Sequence, residues 1–280
     1  MSRLAQRFAE LKAQPDNKPR KALIPYVMAA DPTPEITLPL MHAMVEAGAD
    51  VIELGAPFSD PMADGPVIQA AAERSLEHGT SLHDVFSLVK AFRQADDETP
   101  IIVMGYLNPI EVMGYEVFAQ QAAASGIDGV ITVDMPPVEA GDYVPTLKKY
   151  GIDPVFLLAP TSTEERIKKL AEVASGFVYY VSLKGVTGAA TLDIGSVEKK
   201  VTEIRQFVDL PIGVGFGISD AESAARVSRC ADAVVVGSAI VKKMTLNNGK
   251  TEEDRSIIIK EISDILSAMR KAMDAVTENA

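Results

Sequence analysis

Eight short apolar runs, separated by longer helical patterns, constrain this chain more than any other feature. The runs are Ala22 to Met28, Val51 to Leu54, Ile101 to Met104, Gly129 to Val133, Pro154 to Leu158, Phe177 to Val181, Ile212 to Val214 and Ala233 to Val236. Each is short and rich in Val and Ile, which predicts strands. They are continuously apolar, as parallel strands buried on both faces are. Amphipathic segments lie between them. Pro34 to Ala47 is closed by Gly48 as a helix stop. Ser162 to Ala174 opens with Ser162 and Glu165 in capping-box spacing. Strands alternating with helices eight times over predict an α/β fold, a (β/α)8 TIM barrel. An extra N-terminal helix, Arg3 to Ala13, precedes the first strand, and a long last helix, Thr251 to Val276, covers the exterior. There is no composition break or low-complexity tract. The glycine-rich stretch Gly185 to Gly195 sits between a strand and a helix and reads as a long βα loop. One barrel domain over residues 1–280 is therefore expected.

Composition narrows the partners. The 280 residues are 47% hydrophobic and 24% charged, with a net charge of −12. Such a chain repels nucleic acid and anionic membrane at long range, so an anionic substrate must be held by local donors. The single cysteine, Cys230, excludes an internal disulfide. Neither a signal peptide nor an apolar stretch of about 18 residues is visible, and a cytoplasmic location is expected. No His-x-x-x-His or Cys-x-x-Cys pattern offers a metal site.

Active sites of such barrels lie at the C-terminal ends of the strands. Glu53 stands inside the second apolar run, where an ionised carboxylate is costly. It is either a group at the barrel mouth or a structural glutamate bonded to a neighbouring strand. Asp64 precedes Gly65-Pro66 and is either a functional acid or a helix cap, and Asp60 has the plain reading of a turn residue. Gly217, Gly237 and Ser238 follow runs seven and eight, where backbone N–H groups often hold phosphate. Either motif alone reads as a tight turn, and their joint placement favours the anion site. A dinucleotide reading of Gly215-Phe216-Gly217 fails because position 220 is Asp. Lys184, beyond run six, reads as solvated and not as a Schiff-base lysine. His42, His78 and His83 fall in or beside helical segments away from strand ends.

The segment Glu-Leu-Gly-x-Pro-Phe-Ser-Asp-Pro-x-Ala-Asp-Gly-Pro at 53–66 resembles the signature of tryptophan synthase alpha chains. Other similar segments follow in order. They are 24–27 with Asp31-Pro32, Tyr106 with Asn108-Pro109, Asp134 with Pro136, the 185–188 loop Gly-Val-Thr-Gly, 215–219 and 237–241. The resemblance spans the chain.

That resemblance implies retro-aldol cleavage of indole-3-glycerol phosphate to indole and glyceraldehyde 3-phosphate. It implies Glu53 as the acid–base group and Asp64 as acceptor for the indole N–H. Tyr179 would position Glu53, while Tyr26, Tyr106 and Phe216 would line the ring pocket or else belong to aromatic core. Thr187 would contact Asp64 from a closing lid, and Gly188 would join Gly217, Gly237 and Ser238 around the phosphate. The family often carries Arg where this chain has Leu183, so an ion pair from that position steadying the closed lid is not expected here. No cofactor is implied in this chain. The implied partner is a pyridoxal-phosphate beta subunit in an alpha2beta2 assembly, met by Pro57, Phe58, Asp60, Asn108, Asp134 and Pro136. The rival readings are another barrel aldolase or isomerase, a regulatory barrel without activity, and a lyase that needs no partner.

Overall fold

The computed structural model describes residues 2–14, 19–182, 193–215 and 217–278. Its strands are β1 (Ala22–Met28), β2 (Ile52–Gly55), β3 (Ile101–Gly105), β4 (Gly129–Thr132), β5 (Asp153–Leu158), β6 (Val178–Val181), β7 (Ile212–Gly215) and β8 (Ala233–Val236). Each pairs in parallel with the next, and β8 closes onto β1. The helices are α1 (Arg3–Lys12), α2 (Pro34–Glu46), α3 (Pro66–Glu77), α4 (Leu82–Phe92), α5 (Leu107–Met113), α6 (Tyr115–Ser125), α7 (Tyr143–Lys149), α8 (Glu164–Val173), α9 (Ile194–Ile204), α10 (Ala221–Ser228), α11 (Ser238–Val241) and α12 (Glu252–Glu278). The fold is the α/β barrel that the eight apolar runs predict. One local expectation is corrected. Helix α8 is capped by Thr163, whose side chain accepts from the Arg166 N–H. Ser162 instead accepts from the Ala159 N–H and closes the turn before it.

Two cores explain the continuous apolarity of the strands. Outward residues such as Leu23, Ile52, Val103 and Val234 pack against the helices. Inward residues such as Ile24, Ile102, Ile131 and Val235 fill the barrel. Leu4, Phe8 and Leu11 of α1 belong to that inner cluster, so the extra N-terminal helix plugs the bottom of the barrel. With the bottom closed, the open end is the C-terminal one.

The bottom rim carries a device used repeatedly. Asp50 stands ahead of β2, its carboxylate accepts the Leu23 N–H of β1 at 2.9 Å, and its own N–H donates to the Leu23 carbonyl. Asp128 does the same to Ile101 of β3, and Asp232 to Ile212 of β7. Each carboxylate also meets arginine: Arg20 and Arg270, Arg93 and Arg3, and Arg205 respectively. Between β5 and β6 the partner is Pro154, which has no N–H to satisfy. There the place is taken by Ser175, whose N–H reaches the Pro154 carbonyl at 3.1 Å. The side chain follows what the backbone needs, because a buried N–H left unpaired is costly.

Candidate functional site

Glu53 lies in β2 with its neighbours set by register: Tyr26 of β1 on one side and Ile102 of β3 on the other. Side chains at paired positions face the same way, so Glu53 points into the barrel interior at its upper end. It is 1% exposed, and its Oε2 has no hydrogen-bond partner among the described residues. The structural alternative, a glutamate bonded to a neighbouring strand, is therefore not what is found. Burial, and secondarily the charge of Asp64, push the Glu53 carboxyl up to about 8. At neutral pH it holds its proton.

Asp64 sits at the end of the β2–α3 loop. The Tyr106 hydroxyl donates to its Oδ2 at 3.1 Å and accepts from the Ala63 N–H at 3.0 Å. Gln69 of α3 donates to the Asp64 carbonyl, and Phe58 stacks on Tyr106 with centroids 5.2 Å apart. Asp64 is no helix cap: Gly65 is the N-cap of α3, without a side-chain bond. Burial raises the Asp64 carboxyl to about 6, against the lowering effect of the Tyr106 bond. The two carboxyls are thus held apart in acidity, one neutral and one charged at pH 7, which separates donor from acceptor.

Helix α3, which follows Asp64, is itself anchored. Arg74 grips the fully buried Asp31 after β1 through two bonds, of 2.6 and 2.9 Å. Ser75 donates to the Ala29 carbonyl, and the His78 ring lies 2.9 Å from the Pro32 carbonyl. The Arg74–Asp31 clamp was not foreseen, because nothing in a helical Arg signals a partner 43 residues earlier.

Beside Asp64 a small pocket is mostly apolar: Tyr26, Met28, Ala56, Phe58, Met104 and Val133 line it with Tyr106 and Asp64. Met28, Met104 and Val133 were not singled out from sequence. The signal was available, since each lies two residues beyond an inward-facing strand position. Two tyrosines lean onto glycines of the next strand. The Tyr26 hydroxyl fills the space where a Cβ on Gly55 would stand, and the Tyr179 hydroxyl does so at Gly215. Any larger residue at either glycine would collide with a ring. Tyr179 is buried, and no hydrogen bond joins it to Glu53. Burial first, then the charges of Glu53 and Asp64, hold its phenol protonated.

Gly217 has φ +77° and is exposed, and Gly237 and Ser238 start α11 above β8. Asp220 caps α10 by accepting the Ser223 N–H at 2.8 Å, which accounts for the carboxylate where a dinucleotide loop would carry glycine. Thr187, Gly188, Leu183, Lys184 and Phe216 lie outside the described residues. Of the expected contact residues, Asp60 and Asn108 are exposed, Phe58 and Pro136 half-buried, and Pro57 is buried. Asp134 accepts the Leu107 N–H at 2.8 Å and so ties the β4 loop to the start of α5. His42 stacks on Phe92, and His83 meets the edge of Phe86. Among the described residues no group of three His, Cys, Asp or Glu is placed to hold a metal ion. No helix there is long and apolar enough to cross a membrane.

Comparison with known proteins agrees with this geometry along the chain. A family model described as tryptophan synthase alpha chain matches residues 8–272. The tryptophan synthase alpha chain of Thioalkalivibrio sulfidiphilus is 61% identical, over 98% of this chain and all of that protein. That of Nitrosococcus oceani is 57% identical over the full length of both. The crystal structure of tryptophan synthase subunit alpha from Legionella pneumophila superposes with a TM-score of 0.88. It is 42% identical, covering 98% of this chain and 99% of that one. With a match this long and this close, the chain belongs to the tryptophan synthase alpha chain family.

Proposed function

We propose that Glu53 and Asp64 carry out the reaction of this family, the cleavage of indole-3-glycerol phosphate to indole and glyceraldehyde 3-phosphate. The protein is a carbon–carbon lyase of tryptophan biosynthesis. The observation that carries the residue assignment is the pair itself: a buried, neutral Glu53 at the barrel mouth beside a charged Asp64.

The indole C3–glycerol bond breaks heterolytically only if the ring accepts the electron pair. Protonated Glu53 donates its proton to C3, which turns the ring into an indolenine with positive charge at N1. The Asp64 carboxylate accepts a hydrogen bond from that N–H and stabilises the charge. Glu53, now ionised, removes the proton from the adjacent glycerol hydroxyl. The carbonyl forms, the C–C bond breaks, and its electrons restore the aromatic ring. One proton is given and one returned, so a single carboxyl serves as acid and base. The apolar wall of Tyr26, Met104 and Val133 holds the flat ring. Gly217, in the turn after β7, and Gly237 and Ser238, at the start of α11, offer backbone N–H groups to the phosphate, the first residues of a helix having no intrahelical acceptor. The reading also includes Thr187 contacting Asp64, Gly188 at the phosphate and Phe216 at the ring, three residues that lie outside the described ones.

The chain is read as one barrel unit acting in the cytoplasm, with a beta subunit that supplies the pyridoxal phosphate chemistry and consumes indole. Exposed Met62, Val112 and Val138, on the connections after β2, β3 and β4, support docking on that side of the mouth. Indole release from indole-3-glycerol phosphate, with and without a beta subunit, tests the reading. Glu53→Gln is expected to lose about 10³-fold, within the range of general acid–base catalysis. Wild-type rates in that variant would remove Glu53 from the mechanism.

A further inference from the structure

Tyr26 lines the pocket wall, yet its hydroxyl is placed as no wall requires. Its Cα stands opposite Glu53 in the β1–β2 register, and both side chains face the barrel interior. The ring then runs up along β2, so that its hydroxyl lies where Gly55 would carry a Cβ. On its other side it faces Gly237, where a Cβ would lie at ordinary contact distance, 3.8 Å from the Tyr26 Cβ. Gly55 alone therefore makes the room that the tyrosine needs, and the ring lies across the mouth between the acid–base strand and the end of β8.

The hydroxyl proton is held weakly. Tyr26 is 5% exposed, and among the described residues the acceptor of its O–H is the Met28 Sδ at 4.0 Å, a poor acceptor. Glu53, its register partner, keeps Oε2 buried with no hydrogen bond among the described residues. A neutral carboxyl tolerates that arrangement. A carboxylate does not, because unpaired buried charge is far more costly. Glu53 must pass through that carboxylate between its two proton transfers.

We propose that Tyr26 is a positioning residue whose hydroxyl turns from Met28 to donate to Glu53 while that carboxyl is ionised. This rests on the assignment of Glu53 as the acid–base group. Burial is the largest effect keeping the phenol protonated. The negative charges of Asp64, Glu53 and Asp31, with Tyr106, act the same way, so the donor is present throughout the working pH range. The groups facing Glu53 in turn are Asp64, Tyr26 and Tyr179. A donor to the ionised form lowers the pKa of Glu53, and its loss must raise it.

Tyr26→Phe keeps the ring between the glycines and removes only the hydroxyl. The test is kcat, KM and the pH profile of indole release for wild type, Tyr26→Phe and Glu53→Gln. Expected for Tyr26→Phe are an unchanged melting temperature and KM, and a kcat lower by about tenfold, as for loss of one hydrogen bond to a charged group. The alkaline limb should move up by at least about half a pH unit. A wild-type kcat, or a fall in kcat with an unmoved limb, would overturn the proposal and leave Tyr26 as wall. An active Glu53→Gln would instead overturn the reading on which it rests, whatever Tyr26→Phe does.

Discussion

At the scale of single residues, the barrel mouth keeps a carboxyl where water cannot reach it, and this leaves a mark on stability as well as on rate. Glu53 has an ordinary value of 4.5 and is raised to about 8 in the folded chain. A raised carboxyl favours folding fully below the ordinary value. That advantage is lost as pH climbs through the raised one, because ionisation is then easier in the unfolded chain. Glu53→Gln removes the ionisation. The variant should match wild type in stability near pH 4.5 and exceed it increasingly up to about pH 8, levelling off there at on the order of 5 kcal/mol, at about 1.4 kcal/mol per pH unit between the two values. Urea unfolding of both proteins at pH 5, 7 and 9 checks this, and a constant difference would show that Glu53 is not buried as found. The same two carboxyls set the activity window. In the proposed mechanism Asp64 loses its charge below about 6 and Glu53 its proton above about 8, so the rate of indole release measured against pH should peak between.

At the scale of elements, the strands were legible because both of their faces are buried, which writes an unbroken apolar run into the chain. Glu53 was legible for the same reason, being the one charge inside such a run. Its partners were not. Tyr26 and Tyr179 take their places from glycines on the next strand, Gly55 and Gly215, and cross-strand fit leaves no periodic trace. The rim aspartates were missed differently. Asp50, Asp128 and Asp232 stand at the entrances to apolar runs, and reading each run alone conceals that the preceding residue repeats. Their chemistry makes a sharp prediction. Asp128 is 4% exposed, holds the Ile101 N–H, and is held by Arg93 and Arg3. Asp128→Ala strands a buried guanidinium and a backbone donor together, which should cost about 3–5 kcal/mol. Asp60→Ala, an exposed turn position, should stay within about 0.5 kcal/mol. Equal losses in chemical denaturation would show that the rim clamps do not hold the barrel.

At the scale of the molecule, the two ends of the barrel have opposite tasks. The bottom is sealed by α1 and by arginine–aspartate clamps, and the top holds the carboxyls under a loop pinned by Phe58 and Tyr106. Around that top, Met62, Val112 and Val138 are 78%, 82% and 72% exposed, on three consecutive connections. Scattered apolar side chains need no explanation, but three this exposed on consecutive βα connections mark one side of the barrel top as a candidate for docking. Indole is small and apolar, so a partner seated there could receive it before it diffuses away. The expectation concerns coupling, not chemistry. Val112 and Val138 take no part in the proposed reaction, and a charge at either should leave the isolated barrel's rate unchanged. In the complex the same charge would be desolvated against an apolar surface. Val112→Glu and Val138→Glu should each weaken binding of a beta subunit by about tenfold or more, the scale of truncating an interface anchor. Calorimetric titration of the beta subunit, run beside indole release with and without it, separates the two effects. Wild-type affinity in both variants would move the docking surface away from the β2–β4 side of the mouth.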